Sequence, residues 1–110
     1  GFARGRVITV FGCGGNRDSE KRPIMGKIAV ELSDYVIITS DNPRFEKPED
    51  IIADIEEGAK DHPEKYEIVV DRIAAIRRAM AIARKGDVIL LAGEEGTRDV
   101  PGDQRSKTPF

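Results

Sequence analysis

The chain reads as an α/β protein of the Rossmann-like kind, a three-layer αβα arrangement around a four-stranded, mainly parallel sheet. Three observations predict this. Short runs rich in β-branched residues alternate with segments of helical periodicity in the order β-α-β-α-β-α-β. Those runs are apolar almost throughout, as strands covered on both faces must be. The first of them ends in a glycine cluster, Gly12, Gly14 and Gly15, where a parallel strand would hand over to a helix.

Taken in order, Val7 to Phe11 is the first strand, and the glycines after it let the backbone turn sharply. Pro23 suits the first turn of a helix, where its missing N–H costs nothing, and the helix is expected from Pro23 to Leu32 with Ile24, Met25, Ile28 and Leu32 as its buried face. Tyr35 to Thr39 is the second strand. A loop from Ser40 to Lys47 follows, and Pro48, Glu49 and Asp50 open a helix with acids at the positive end of its dipole. That helix should bury Ile51, Ile52, Ile55 and Ala59, with Gly58 and the polar run to Lys65 breaking the pattern. Tyr66 to Val70 is the third strand. Asp71 caps a helix whose core face is Ile73, Ile76, Met80 and Ala83 and which Gly86 terminates. Val88 to Ala92 is the fourth strand, closed by Gly93. Residues 1–93 thus form one domain, and 94–110, with four acids, three bases and two prolines, is expected to be an extended polar tail.

Composition narrows the function classes. The 110 residues are 39% hydrophobic and 35% charged, with a net charge of −2, and the bases are interleaved with acids. No basic stripe is present for nucleic acid or an anionic membrane, and no apolar run approaches the roughly 18 residues of a membrane span. The single cysteine, Cys13, excludes an intrachain disulfide and fits a reducing cytoplasm; neither it nor His62 belongs to a cluster of metal-ligand spacing. Cys13 is expected to be a small buried thiol, with no base at hand to make it a nucleophile.

With strands ordered 3-2-1-4, the chain reverses direction beside the first strand, and ligands of such sheets sit there, outside the carboxyl ends. The loop Gly12 to Asp18, the loop Asp41 to Arg44 and the turn at Gly93 would share that rim. No catalytic group is singled out. A GxGxxG dinucleotide fingerprint fails at its third glycine, where Arg17 stands, which counts against the alternative of a nucleotide-binding Rossmann module; a ligand-free scaffold is a further alternative.

The segments VFGCGGNRDSEKRPIMGKIA, DNPR and GDVILLAG, at these spacings, resemble the C-terminal domain of the Mur ligases, closest to the members that add meso-diaminopimelate to a peptidoglycan precursor. The resemblance runs from about Gly5 to Gly93. It implies a Rossmann-like domain that binds the incoming amino acid, in a protein whose N-terminal and central domains lie outside this chain. The central domain of the family holds ATP and Mg and forms the acyl phosphate; no GxxxxGK[ST] loop occurs here, so no cofactor is expected in this chain. Carried over residue by residue, the resemblance assigns Arg17, Asp41, Asn42, Pro43, Arg44 and Gly93 to substrate binding. It leaves two readings for Lys21 and Arg22, neighbours of a nucleotide phosphate when the partner domain is present, or first-turn surface charges. After Gly93 the sequence reads AGEEGT where the family has AGKGHE, with Thr97 at the position of a glutamate. The expectation is therefore a domain fragment truncated at both ends and not catalytic in isolation, prone to self-association through uncovered sheet edges.

Overall fold

Residues 5–14, 20–41, 46–93 and 96–101 are described by the computed structural model, and in them strand and helix alternate as the sequence predicts. Strand β1 (Val7–Phe11) leads to helix α1 (Lys21–Leu32), β2 (Tyr35–Ile38) to α2 (Pro48–Ala59), and β3 (Tyr66–Ile68) to α3 (Arg72–Ile82), before β4 (Val88–Gly93). The sheet order is β3-β2-β1-β4, all parallel, as expected.

Side-chain alternation along the strands sets the layers. Phe11, Cys13, Val36 and Ile38 point to one face, where they pack with Val30 of α1 and with Ile51, Ile52, Ile55 and Ala59 of α2. Ile8, Val10, Ile37 and Ile89 point to the other and pack with Ala75 and Ala79 of α3. Each of these buried isoleucines and valines contributes about 1.5–3 kcal/mol by leaving water. The α2 core is the one the sequence assigns.

The other two helices keep the expected period and lose the expected phase. On α1 the buried positions are Arg22, Gly26 and Val30, whereas Ile24, Met25, Ile28 and Leu32 are exposed, Leu32 to 78%. The reason is a close crossing of α1 on α2. A Cβ at Gly26 would collide with the carbonyl of Ile55, and one at Gly58 with that of Pro23, so the glycine face must be the inner one. Gly58, expected to break α2, sits inside it and serves this contact. On α3 the small residues Ala75 and Ala79 face the sheet, Ile76 and Ala83 are partly covered, and Ile73 and Met80 are exposed. Met25 and Met80 therefore do not fill the core.

The segment after Gly93, expected to be extended, adds to the sheet. Gly96–Pro101 forms a fifth strand, β5, antiparallel to β4, with Ile89 opposite Val100 and Gly93 opposite Gly96. Backbone hydrogen bonding to a six-residue apolar neighbour requires no apolar pattern of its own, which is why composition gave no signal. Residues 102–110 lie outside the described ones. At the amino ends of the strands, Asp87 gathers Arg6 and the Arg84 amide, and Asp34 accepts from the Val7 amide at 2.7 Å. The opposite ends are thereby left to form the site.

Candidate functional site

At the carboxyl ends of the strands, backbone hydrogen bonds gather the loops onto one rim. The Thr39 amide donates to the Phe11 carbonyl at 2.8 Å, and the Gly12 amide donates to Ala92 at 3.3 Å. Gly12 lies against the end of β2, where a Cβ would stand 2.6 Å from the Thr39 carbonyl; only glycine permits that approach. The Val70 carbonyl after β3 accepts from Thr39 Oγ1, Ser40 Oγ and the Ser40 amide at 3.0, 2.9 and 3.2 Å. Four strand ends are thus stitched together, with Gly93 next to the acceptor Ala92.

Two arginines complete the rim, and the sequence reading assigned neither its actual place. Arg22, in the first turn of α1, is only 2% exposed. Its Nη2 donates to the Gly14 carbonyl at 3.1 Å and to Glu46 Oε1 at 2.9 Å, and its Nη1 to Glu46 Oε2 at 3.1 Å and Asp54 Oδ2 at 2.9 Å. The Glu46 hydrogen bond, with Asp54 adding to it, raises its proton affinity against the cost of burial, so it stays charged. Nε is buried and has no partner among the described residues. Arg72, the first residue of α3, reaches Asp41 Oδ1 at 2.6 Å.

Of the residues that the sequence assigns to the site, Asp41 lies on the rim, paired with Arg72, and Gly93 ends β4 there. Arg17, Asn42, Pro43 and Arg44 lie outside the described residues. Their described neighbours converge: Gly14 and Glu46 share the Arg22 guanidinium, and Asp41 Cβ would be 3.2 Å from a Cβ on Gly12. Lys21 is exposed at the start of α1. Arg22, named with Lys21 as a neighbour of a nucleotide phosphate or a first-turn surface charge, is not a surface charge: it points inward with both Nη atoms engaged by protein.

Cys13 is buried beneath this rim, and burial pushes its thiol up to about 11, against the pull of Arg22. It is a protonated thiol at neutral pH, not a nucleophile. A signal for the two arginines was available. Both occupy a first helical turn, where the macrodipole disfavours a cation, so each needs carboxylates to hold it. Which carboxylates do so is a tertiary matter, since Glu46, Asp54 and Asp41 are 24, 32 and 31 residues away from their partners.

Comparison with known proteins adds the family. A family model described as Mur ligase, glutamate ligase domain, matches residues 1–95. The chain is similar to the UDP-N-acetylmuramoyl-L-alanyl-D-glutamate–2,6-diaminopimelate ligase of Clostridioides difficile (strain 630), 56% identical over 93 residues that cover 84% of this chain and 19% of that protein. The corresponding ligase 1 of Clostridium acetobutylicum is 58% identical over 93 residues, with the same coverage of 84% and 19%. That of Caldanaerobacter subterraneus subsp. tengcongensis is 48% identical over 111 residues, covering 94% of this chain and 23% of its own length. The chain spans about a fifth of the length of these relatives.

Proposed function

The chain belongs to the Mur ligase family, in its glutamate ligase domain, and from that membership we propose that it is the amino-acid-recognition domain of a ligase that adds 2,6-diaminopimelate in peptidoglycan synthesis. The relatives named above act, by name, on that amino acid. The observation that supports the reading is the convergence of the first- and second-strand loop ends, Gly14 and Glu46, on one guanidinium at the carboxyl ends of the neighbouring strands β1 and β2. In this reading Arg17 and Arg44 grip carboxylate, Asp41 and Asn42 receive ammonium, and Pro43 and Gly93 shape the backbone around the guest. Two charge signs within one rim suit a zwitterion better than a simple anion.

The chain alone performs no ligation in this reading. Activation of the acceptor carboxyl by ATP belongs to a central domain, and the rim's task is to hold the amine donor so that its nucleophilic nitrogen faces that domain. In this reading Lys21, exposed at the N-terminal end of α1, lies beside a nucleotide phosphate held by that domain. Self-association through the edge strands β3 and β5 is the accompanying reading of the domain apart from its neighbours.

Calorimetric titration with meso-diaminopimelate tests the assignment. Saturable heat in the unaltered chain, lost in Arg17→Ala and in Arg44→Ala, is the expected result. Equal traces from all three proteins would remove the site from this rim.

A further inference from the structure

We propose that Arg22 and Arg72 are positioning residues, a pair of clamps that hold the two ends of the second-strand loop, Glu46 and Asp41, against the glycine loop. Its ligand readout rests on the amino-acid reading above; its geometry does not. The loop that carries Asn42, Pro43 and Arg44 leaves the sheet at Asp41 and rejoins the described chain at Glu46. Arg72 grips the first end from α3, on one face of the sheet, and Arg22 grips the second from α1, on the other.

Both arginines stand in a first helical turn, the wrong end of the dipole for a cation, so helix stability does not account for them. Arg22 is nearly fully desolvated, which is costly unless its donors are satisfied by well-placed acceptors. Its four hydrogen bonds to Gly14, Glu46 and Asp54 use the flat guanidinium fork to set the first loop, the second loop and α2 at fixed distances. A lysine would keep the charge and lose the fork. The guanidinium of Arg72 is the more open, 36% exposed against 2% for Arg22, whereas Asp41 at 15% is more covered than Glu46 at 33% and Asp54 at 45%. The two clamps therefore differ in their response to salt, because ions reach the accessible Arg72 guanidinium and are kept from the buried one of Arg22.

The test is titration of the full chain with meso-diaminopimelate, beside amide resonances recorded without ligand. Arg22→Lys should bind about tenfold more weakly, the order of one lost charge-assisted hydrogen bond, at low and high salt alike. Arg72→Gln should bind more weakly at low salt, and the gap should close near about 0.5 M salt, where the Debye length falls to a few ångströms. In Arg22→Lys the amides of Gly14, Asp41 and Glu46 should shift together. Asp87→Asn, at the far end of the sheet, is the control: it lowers stability and leaves affinity unchanged. The proposal is overturned if Arg22→Lys binds within about twofold of the unaltered chain, if Asp87→Asn loses affinity equally, or if the three amides stay in place. Absence of any heat with the unaltered chain defeats the amino-acid reading instead, and the amide comparison then decides the clamps by itself. Should Arg22→Lys fail to fold, Glu46→Gln replaces it, with the same expected loss of affinity and coupled amide shifts and the same overturning results.

Discussion

At Asp87 three donors converge on one carboxylate: the Arg6 amide at 2.7 Å, the Arg84 amide at 2.8 Å and Arg6 Nη2 at 3.0 Å. The Arg84 amide and the Arg6 contacts hold its pKa below the ordinary 3.8, overcoming the burial that would raise it. A depressed acid stabilises the fold fully above its unfolded value and loses that contribution as the pH falls through its folded value. Urea unfolding should therefore show stability level from about pH 5 upward and declining below about pH 4, with Asp87→Asn flattening this segment of the curve. At neutral pH the same substitution should cost about 1–3 kcal/mol, because an amide turned toward backbone donors leaves one unsatisfied. A profile identical in both proteins would show that another acid governs the acid limb. At the other end of the sheet Arg22 poses the complementary case, a buried cation whose loss leaves two carboxylates facing one another.

The helices show why period alone does not place a side chain. Ile24, Ile28 and Leu32 recur at helical spacing and so do Arg22, Gly26 and Val30, a third of a turn or more away. Hydrophobicity favours the first set; the close crossing with α2 selects the second. Gly26→Ala raises intrinsic helix propensity by about 1 kcal/mol, yet its new methyl would meet the Ile55 carbonyl. The expected outcome is net destabilisation of about 1–3 kcal/mol, as for other overpacked sites, read from a lower thermal midpoint. A rise in the midpoint would mean that the helices separate at little cost. For α2 hydrophobicity and geometry agree, and the core named from the sequence, Ile51, Ile52, Ile55 and Ala59, is the buried one.

For the whole molecule, β5 decides whether β4 is an edge. Ending the chain at residue 95 would leave the six residues of β4 with unpaired backbone along one side. Sedimentation velocity should then show concentration-dependent association beyond that of the full chain, with a lower thermal midpoint; unchanged behaviour would mean that β5 contributes nothing to closing the sheet. The α/β class and the succession of strands and helices follow from local information, since β-branched runs, a helix cap at Asp71 and glycines after β1 act within a few residues of themselves, whereas the order 3-2-1-4 was a premise that the strand pairing bears out. The resemblance carried by GGNRD, KRP and DNPR is likewise readable along the chain, and the family match agrees with it. The phases of α1 and α3, the strand after Gly93 and the inward turn of Arg22 required the fold, because each depends on what stands opposite across 24 or more residues, or on a backbone edge that carries no side-chain signal. Sequence determined which elements form; only the packing of one backbone against another decided how the strands are ordered, which faces are inside and which charges meet.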